Sequence, residues 1–178
     1  MNRSSFLVFA AALVIASPAV AQQTVPPAAP TIGASGGGGG GIAVPLGTLN
    51  KTHSAGYTLS GIVDFSAADQ PYSFRAELIL QHFDSKASAT GTRSMNITSL
   101  GASVLARSAN KGASSTFVIG GIGVYKLTDG GTKPGVNAGV GLEVPLTFFI
   151  GMADVRLHYI LTDGKPAVTI PITIGARF

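Results

Sequence analysis

From residue 56 onward the chain alternates apolar and polar residues with a period of two, the spacing at which successive side chains leave opposite faces of a β-strand. Tyr57, Leu59, Gly61, Val63 and Phe65 share one face, against Thr58, Ser60, Ile62 and Asp64. Tyr72, Phe74, Ala76, Leu78 and Leu80 oppose Ser73, Arg75, Glu77 and Gln81. The pattern recurs over Val136–Val144, Ala153–Leu161 and Val168–Phe178. Two further segments are less regular. In Ser94–Arg107 the phase slips near Ser99, which predicts a β-bulge or a misplaced strand boundary. In Thr116–Lys126 both faces hold apolar residues and glycines, so the pattern assigns neither. Turn-forming residues separate the segments at 67–71, 84–91, 108–114, 128–134 and 162–165.

The six glycines Gly36–Gly41 admit two readings. They form a flexible tether, or they belong to a first strand over Thr31–Leu46, placed where neighbouring backbones approach closely. With that strand the count is eight. Residues 31–178 then allot roughly 18 residues to each strand and its connector, enough for the 9–11 residues of a tilted membrane strand.

Alternation alone also fits a soluble sandwich or a lipocalin-like barrel, and composition separates them. Charged residues make up 11 % of the chain, against about 25 % in a typical globular domain, while 46 % are apolar. No apolar run beyond the N-terminus approaches the ~18 residues of a membrane helix. The polar face is small and sparsely charged: Ser, Thr, Asn and Gly, with isolated Arg75, Glu77, Glu143, Asp154, Arg156 and Arg177. Such a face suits a narrow lumen, where opposite charges pair because an unpaired buried charge is costly. The aromatics gather near strand ends: Phe65, Tyr72, Phe74, Phe148, Phe149 and Phe178 toward one rim, Tyr57, Phe83, Tyr125 and Tyr159 toward the other. These features predict an all-β fold, an eight-stranded antiparallel up-and-down transmembrane β-barrel over 31–178.

The N-terminus reads as an export signal. Arg3 precedes the apolar segment Phe6–Ala16, and Ala19-Val20-Ala21 supplies a small-residue cleavage site, so residues 1–21 are expected to be removed. Residues 22–30 (QQTVPPAAP) read as an extended linker. The mature chain is mildly basic, too weakly so to indicate nucleic acid.

Catalytic and cofactor chemistry finds little support. The chain has no Cys, which excludes disulfides, thiolate metal sites and cysteine nucleophiles. His53, His82 and His158 lack metal-ligand spacing. Gly121-Ile122-Gly123 and Gly139-Val140-Gly141 lack the βαβ context of a dinucleotide site. No enzyme activity, cofactor or metal is expected.

The segments IGGIGVYKL from Ile119, GVNAGVGLEVPL from Gly135, and ADVRLHYI with IPITIGARF toward the end resemble the OmpA/opacity-protein-like family of small outer-membrane β-barrels. Pro45-Leu46-Gly47 after the glycine run, followed by Ala55-Gly56-Tyr57, is similar to the start of such barrels and favours the strand reading of Gly36–Gly41. The final strand, closing on Phe178, resembles the signal read by the outer-membrane assembly machinery, although Ala176 stands where that signal is often aromatic. The resemblance implies an eight-stranded barrel and no particular chemistry. The expectation is therefore a monomeric, non-catalytic outer-membrane barrel with a structural, membrane-integrity or surface-interaction role. A small pore or hydrophobic-compound channel, and a soluble exported ligand-binding barrel, are the alternatives. Expected partners are outer-membrane lipid, the assembly machinery, and lipopolysaccharide phosphates near Lys51, Lys86, Arg93, Lys133 and Lys165.

Overall fold

The computed structural model of the chain describes residues 32–67, 70–89, 91–108, 114–128 and 130–178. The expected leader at 1–21 and linker at 22–30 lie outside the described residues, as does Thr31. Eight strands follow one another: β1 (Ile32–Leu46), β2 (Gly56–Ala67), β3 (Tyr72–Phe83), β4 (Met95–Arg107), β5 (Ser115–Leu127), β6 (Gly131–Pro145), β7 (Ile150–Ile160) and β8 (Ala167–Arg177). A single helical turn, α1 (Leu49–Thr52), sits between β1 and β2. Each strand pairs antiparallel with its sequence neighbour, and β8 pairs with β1 to close the barrel.

Closure fixes a stagger. Paired residues lead from Gly36 through Val63, Ala76, Ala102, Ile122, Val136, Tyr159 and Val168 back to β1 at Leu46, ten residues from the start. That displacement tilts the strands and sets an interior just wide enough for side chains to fill. The strand ends at Ala67, Tyr72, Arg107, Ser115, Pro145 and Ile150 share the end that carries Ile32 and Phe178. The far end carries the longer connections 47–55 and 84–94, tied together by the bridge of His53 with Ser85.

The glycine run is strand. Gly37–Gly41 pair with β2 on one side and β8 on the other, and the backbone approach there is very tight. A Cβ on Gly39 would lie 2.6 Å from the Ile174 carbonyl oxygen. The remaining departures from the sequence pattern have simple causes. There is no bulge in β4, whose register to β3 and β5 is unbroken. The phase appears to slip because Ile97 and Leu105 point into the lumen while Leu100 and Val104 point outward. In β5, Phe117, Ile119, Tyr125 and Leu127 are buried inside, and Val118, Ile122 and Val124 stand outside. Both faces are apolar because the lumen ends are themselves apolar. The turn expected at 128–134 is shorter: β6 begins at Gly131, whose φ of +68° lets the chain reverse within three residues, and Pro134 already sits in the ladder opposite Val124.

Side chains sort by face. Outward residues are apolar and open, such as Ile122 at 68 % and Phe74 at 65 % exposure. Phe65, Tyr72, Phe74, Phe148 and Phe178 ring the termini end on the outside. The opposite aromatic ring is thinner than expected. Tyr57 and Tyr159 face outward there, but Phe83 and Tyr125 are inside, packed with Ala43, Ile97, Leu127, Ile160 and Ala167.

Candidate functional site

The lumen gathers the chain's buried charge. Asp64 on β2 faces Arg75 on β3 across the ladder, and both side chains are wholly buried. Arg75 clasps Asp64 with both arms of its guanidinium, Nε donating to Oδ1 at 2.6 Å and Nη2 to Oδ2 at 2.9 Å. This planar two-bond geometry is what arginine offers a carboxylate. Phe117 lies beneath the same guanidinium, 5.8 Å from its ring centroid.

Arg107 and Arg177 complete the set from the termini end. Arg107 makes a second fork onto Glu143, with Nε to Oε2 at 2.8 Å and Nη2 to Oε1 at 3.0 Å. It also reaches Asp64 Oδ2 at 3.3 Å and donates to the Ser73 hydroxyl. Arg177 Nη2 lies 3.3 Å from Glu143 Oε1, its Nε 3.6 Å from Asp64 Oδ2, and its Nη1 donates to Ser35 Oγ at 3.2 Å. Three arginines here face two carboxylates.

Deeper in the lumen the balance reverses. Arg156 on β7 donates to Glu77 on β3, spanning the bore, and to Asp154 on its own strand at 3.1 Å from Nε. One arginine meets two carboxylates. The excess positive charge of the first cluster and the excess negative charge of the second compensate, leaving four arginines and four acids in the lumen. Neutrality of this kind lets a narrow, poorly hydrated interior hold eight charges.

The six residues singled out from the sequence, Arg75, Glu77, Glu143, Asp154, Arg156 and Arg177, all face this interior, but in two separate clusters. The sequence reading passed over Asp64 and Arg107, which hold the larger cluster together. Asp64 stood on the polar face of its strand, yet nothing in one dimension set it apart. Arg107 was obscured by the misread phase of β4. Alternation counted from Ile97 brings Ser99, Ser103, Leu105 and Arg107 inward together.

Arg156→Ala would leave Glu77 and Asp154 buried without a cation. The expected loss is about 3 kcal/mol, the lower part of the range for breaking a buried ion pair. Urea titration of the refolded barrel measures it, and an unchanged midpoint would refute the pairing. Adding Glu77→Gln should restore part of the loss.

Toward the far end the polar character becomes neutral: Thr58, Gln81, His158 and Thr169 are buried, and Tyr125 Oη lies 3.1 Å from His158 Nδ1. His158 is thus partnered by a phenol, and Asp154 by Arg156, so the two do not form an acid–imidazole pair. At the mouth, His53 bonds Thr52 Oγ1 and the Arg93 carbonyl. Lys86 donates to Asn50 Oδ1 at 3.0 Å, and Lys133 pairs with Asp163 at 2.5 Å. His82 is on the outer face, stacked on Tyr57, with Nδ1 2.7 Å from Asn96 Oδ1. Among the described residues no three histidine or acidic side chains converge as metal ligands.

Fold and lumen together define the class: a closed eight-stranded up-and-down β-barrel, charged within and apolar without. No family model matches the chain, and no curated protein matches its sequence. Among solved structures it is similar to Neisserial surface protein A, with a TM-score of 0.64 and 14 % identity over 83 % of this chain and 97 % of that one. The Yersinia pestis outer membrane protein Ail in a phospholipid bilayer nanodisc gives a TM-score of 0.49 at 17 % identity, over 82 % of this chain and 99 % of that one. A de novo designed transmembrane β-barrel gives 0.44 at 13 % identity, over 82 % and 96 %. At these identities the likeness is one of fold.

Proposed function

We propose that this chain is a non-catalytic integral β-barrel of a Gram-negative-type outer membrane, with both termini of the barrel periplasmic and a structural, membrane-integrity or surface-interaction role. The observation that carries this reading is the outward face. Leu78, Leu100, Val118, Ile122, Val140 and Ile174, from five different strands, stand between 48 % and 73 % exposed. A soluble monomer rarely leaves contiguous apolar area beyond a few hundred Å² open to water. A belt running round the barrel is a surface for lipid, and the outward aromatics at the termini end suit the membrane interface.

The interior favours structure over transport, because ion pairs bridge the bore and packed apolar side chains close its far end. In this reading the lumen charges fix strand register. A cleaved leader at 1–21 would deliver the chain for export. Outward Phe178, packed against Phe149 at 5.9 Å, would be presented to the assembly machinery, and Lys51, Lys86 and Arg93 at the outer mouth would meet lipopolysaccharide phosphates.

Gel migration tests the membrane assignment. The mature chain, refolded in detergent, is expected to run as a compact band unheated and to shift on boiling. If it is instead soluble without detergent and shows no shift, the assignment is wrong. Planar-bilayer recordings address the pore alternative, for which steady unitary conductance of the unmodified protein would be required.

A further inference from the structure

Between the Glu77–Arg156–Asp154 cluster and the apolar packing at the far end lies a layer of neutral polar side chains. Thr58 and Gln81 face each other across β2 and β3, and His158 and Thr169 across β7 and β8. The stagger of the closed sheet brings the two pairs to neighbouring depths. Thr58 lines up through Gly41 with Thr173 along the ladder. A level cut across those two strand steps rises to between Pro171 and Thr169. Tyr125 enters the layer through its bond to His158.

None of these four side chains is more than 2 % exposed. Yet Thr58 Oγ1, both amide atoms of Gln81, His158 Nε2 and Thr169 Oγ1 have no hydrogen-bonding protein group within reach among the described residues. Buried polar atoms are almost always paired, so five orphans in one layer call for a common partner. Arg75 Nη1 and Arg177 Nε are the remaining such atoms, and each belongs to a guanidinium already held by carboxylates. The layer differs: its side chains carry no carboxylate or guanidinium and mix donors with acceptors. Its partner must be small, neutral and able both to donate and to accept. Water fits that description, and buried waters typically make about three bonds to otherwise unpaired groups.

We propose that Thr58, Gln81, His158 and Thr169 form an internal water-binding site. Ordered waters bridge the two strand pairs across the lumen, and the Tyr125–His158 bond fixes the imidazole with Nε2 turned toward them. The waters are confined to this layer, with the apolar cluster of Phe83, Ile97 and Ile160 dry on one side of it and the Phe117 ring dry on the other. This inference stands independently of where the barrel resides.

Radiolytic hydroxyl-radical labelling of the full refolded chain tests it, because radicals formed from bound water oxidise adjoining side chains that bulk solvent does not reach. Tyr125 and His158 should be labelled, while the equally buried Phe83 and Phe117 stay unlabelled. Equal protection of all four overturns the site. A second arm removes polar atoms at nearly constant volume, with Thr58→Val, Thr169→Val and Gln81→Met. A wet layer requires each to lower the urea midpoint, since the waters lose a partner. A raised or unchanged midpoint means that the layer is dry, and the proposal fails.

Discussion

Asp64→Ala is expected to cause the largest loss of stability of any single side-chain truncation in the lumen. One carboxylate receives the bidentate clasp of Arg75 and the approach of both Arg107 and Arg177. Its removal leaves Glu143 as the sole acid beside three guanidiniums, two of which it already engages. Arg75 would keep only the Phe117 face and a weak contact to Met152 Sδ at 3.7 Å. Removing one partner of a buried pair costs about 3–5 kcal/mol, and three dependent arginines place this variant at about 5. The refolded protein should lose most of its heat-resistant band and unfold at much lower urea. Asp64→Asn, which keeps the volume but not the charge, should fall nearly as far. If Asp64→Ala unfolds at the wild-type midpoint, the cluster does not stabilise the barrel. Arg75→Met with Asp64→Leu offers a complementary measurement: a volume-matched apolar pair should recover much of the loss, because the desolvation of both charges disappears with them.

The two clusters also show what one dimension reveals and what it conceals. Outside the glycine run, the strands and their outward face follow from alternation, since a period of two assigns each residue to a side once the phase is known. Phase is where the reading faltered. In β4 and β5 the lumen residues Ile97, Leu105, Phe117 and Ile119 are as apolar as the lipid-facing ones, so no contrast marks the face. Phe83 and Tyr125 lie near a strand end, as girdle aromatics do, but their parity with Gln81 and Gly123 sends them inward. Charge partners depend on register and stagger, which alternation does not contain. Glu77 and Arg156 belong to strands four apart in the chain and meet only because the sheet closes. The pairing of Asp64 with Arg75 was more accessible, being a cross-strand pair of one hairpin whose turn at 67–71 was already located.

Substitutions within the six-glycine run should divide by sign according to position. Gly37, Gly39 and Gly41 share the phase of Ser35 and Ala43, where β1 and β8 lie so close that a Cβ would run into the β8 backbone. The obstacles are the carbonyl oxygens of Ala176, Ile174 and Ile172, which are main-chain atoms that cannot rotate aside. Relief would require the closing seam to part. Gly39→Val and Gly41→Val are therefore expected to exceed the 1–3 kcal/mol usual for overpacking, and to abolish the compact gel form. Gly36 has nothing within 4 Å of a built Cβ, and neither does Gly61 on the neighbouring strand. There valine gains strand propensity, lowers the entropy of the unfolded chain and adds an apolar group to the outer face. Gly36→Val and Gly61→Val should each be neutral or stabilising by about 0.5–1 kcal/mol. A tether would tolerate Gly36→Val, Gly39→Val and Gly41→Val alike, since it has no faces. Equal behaviour of Gly36→Val and Gly39→Val in urea titration would thus remove β1 from the barrel, and with it the closure on which the lumen depends.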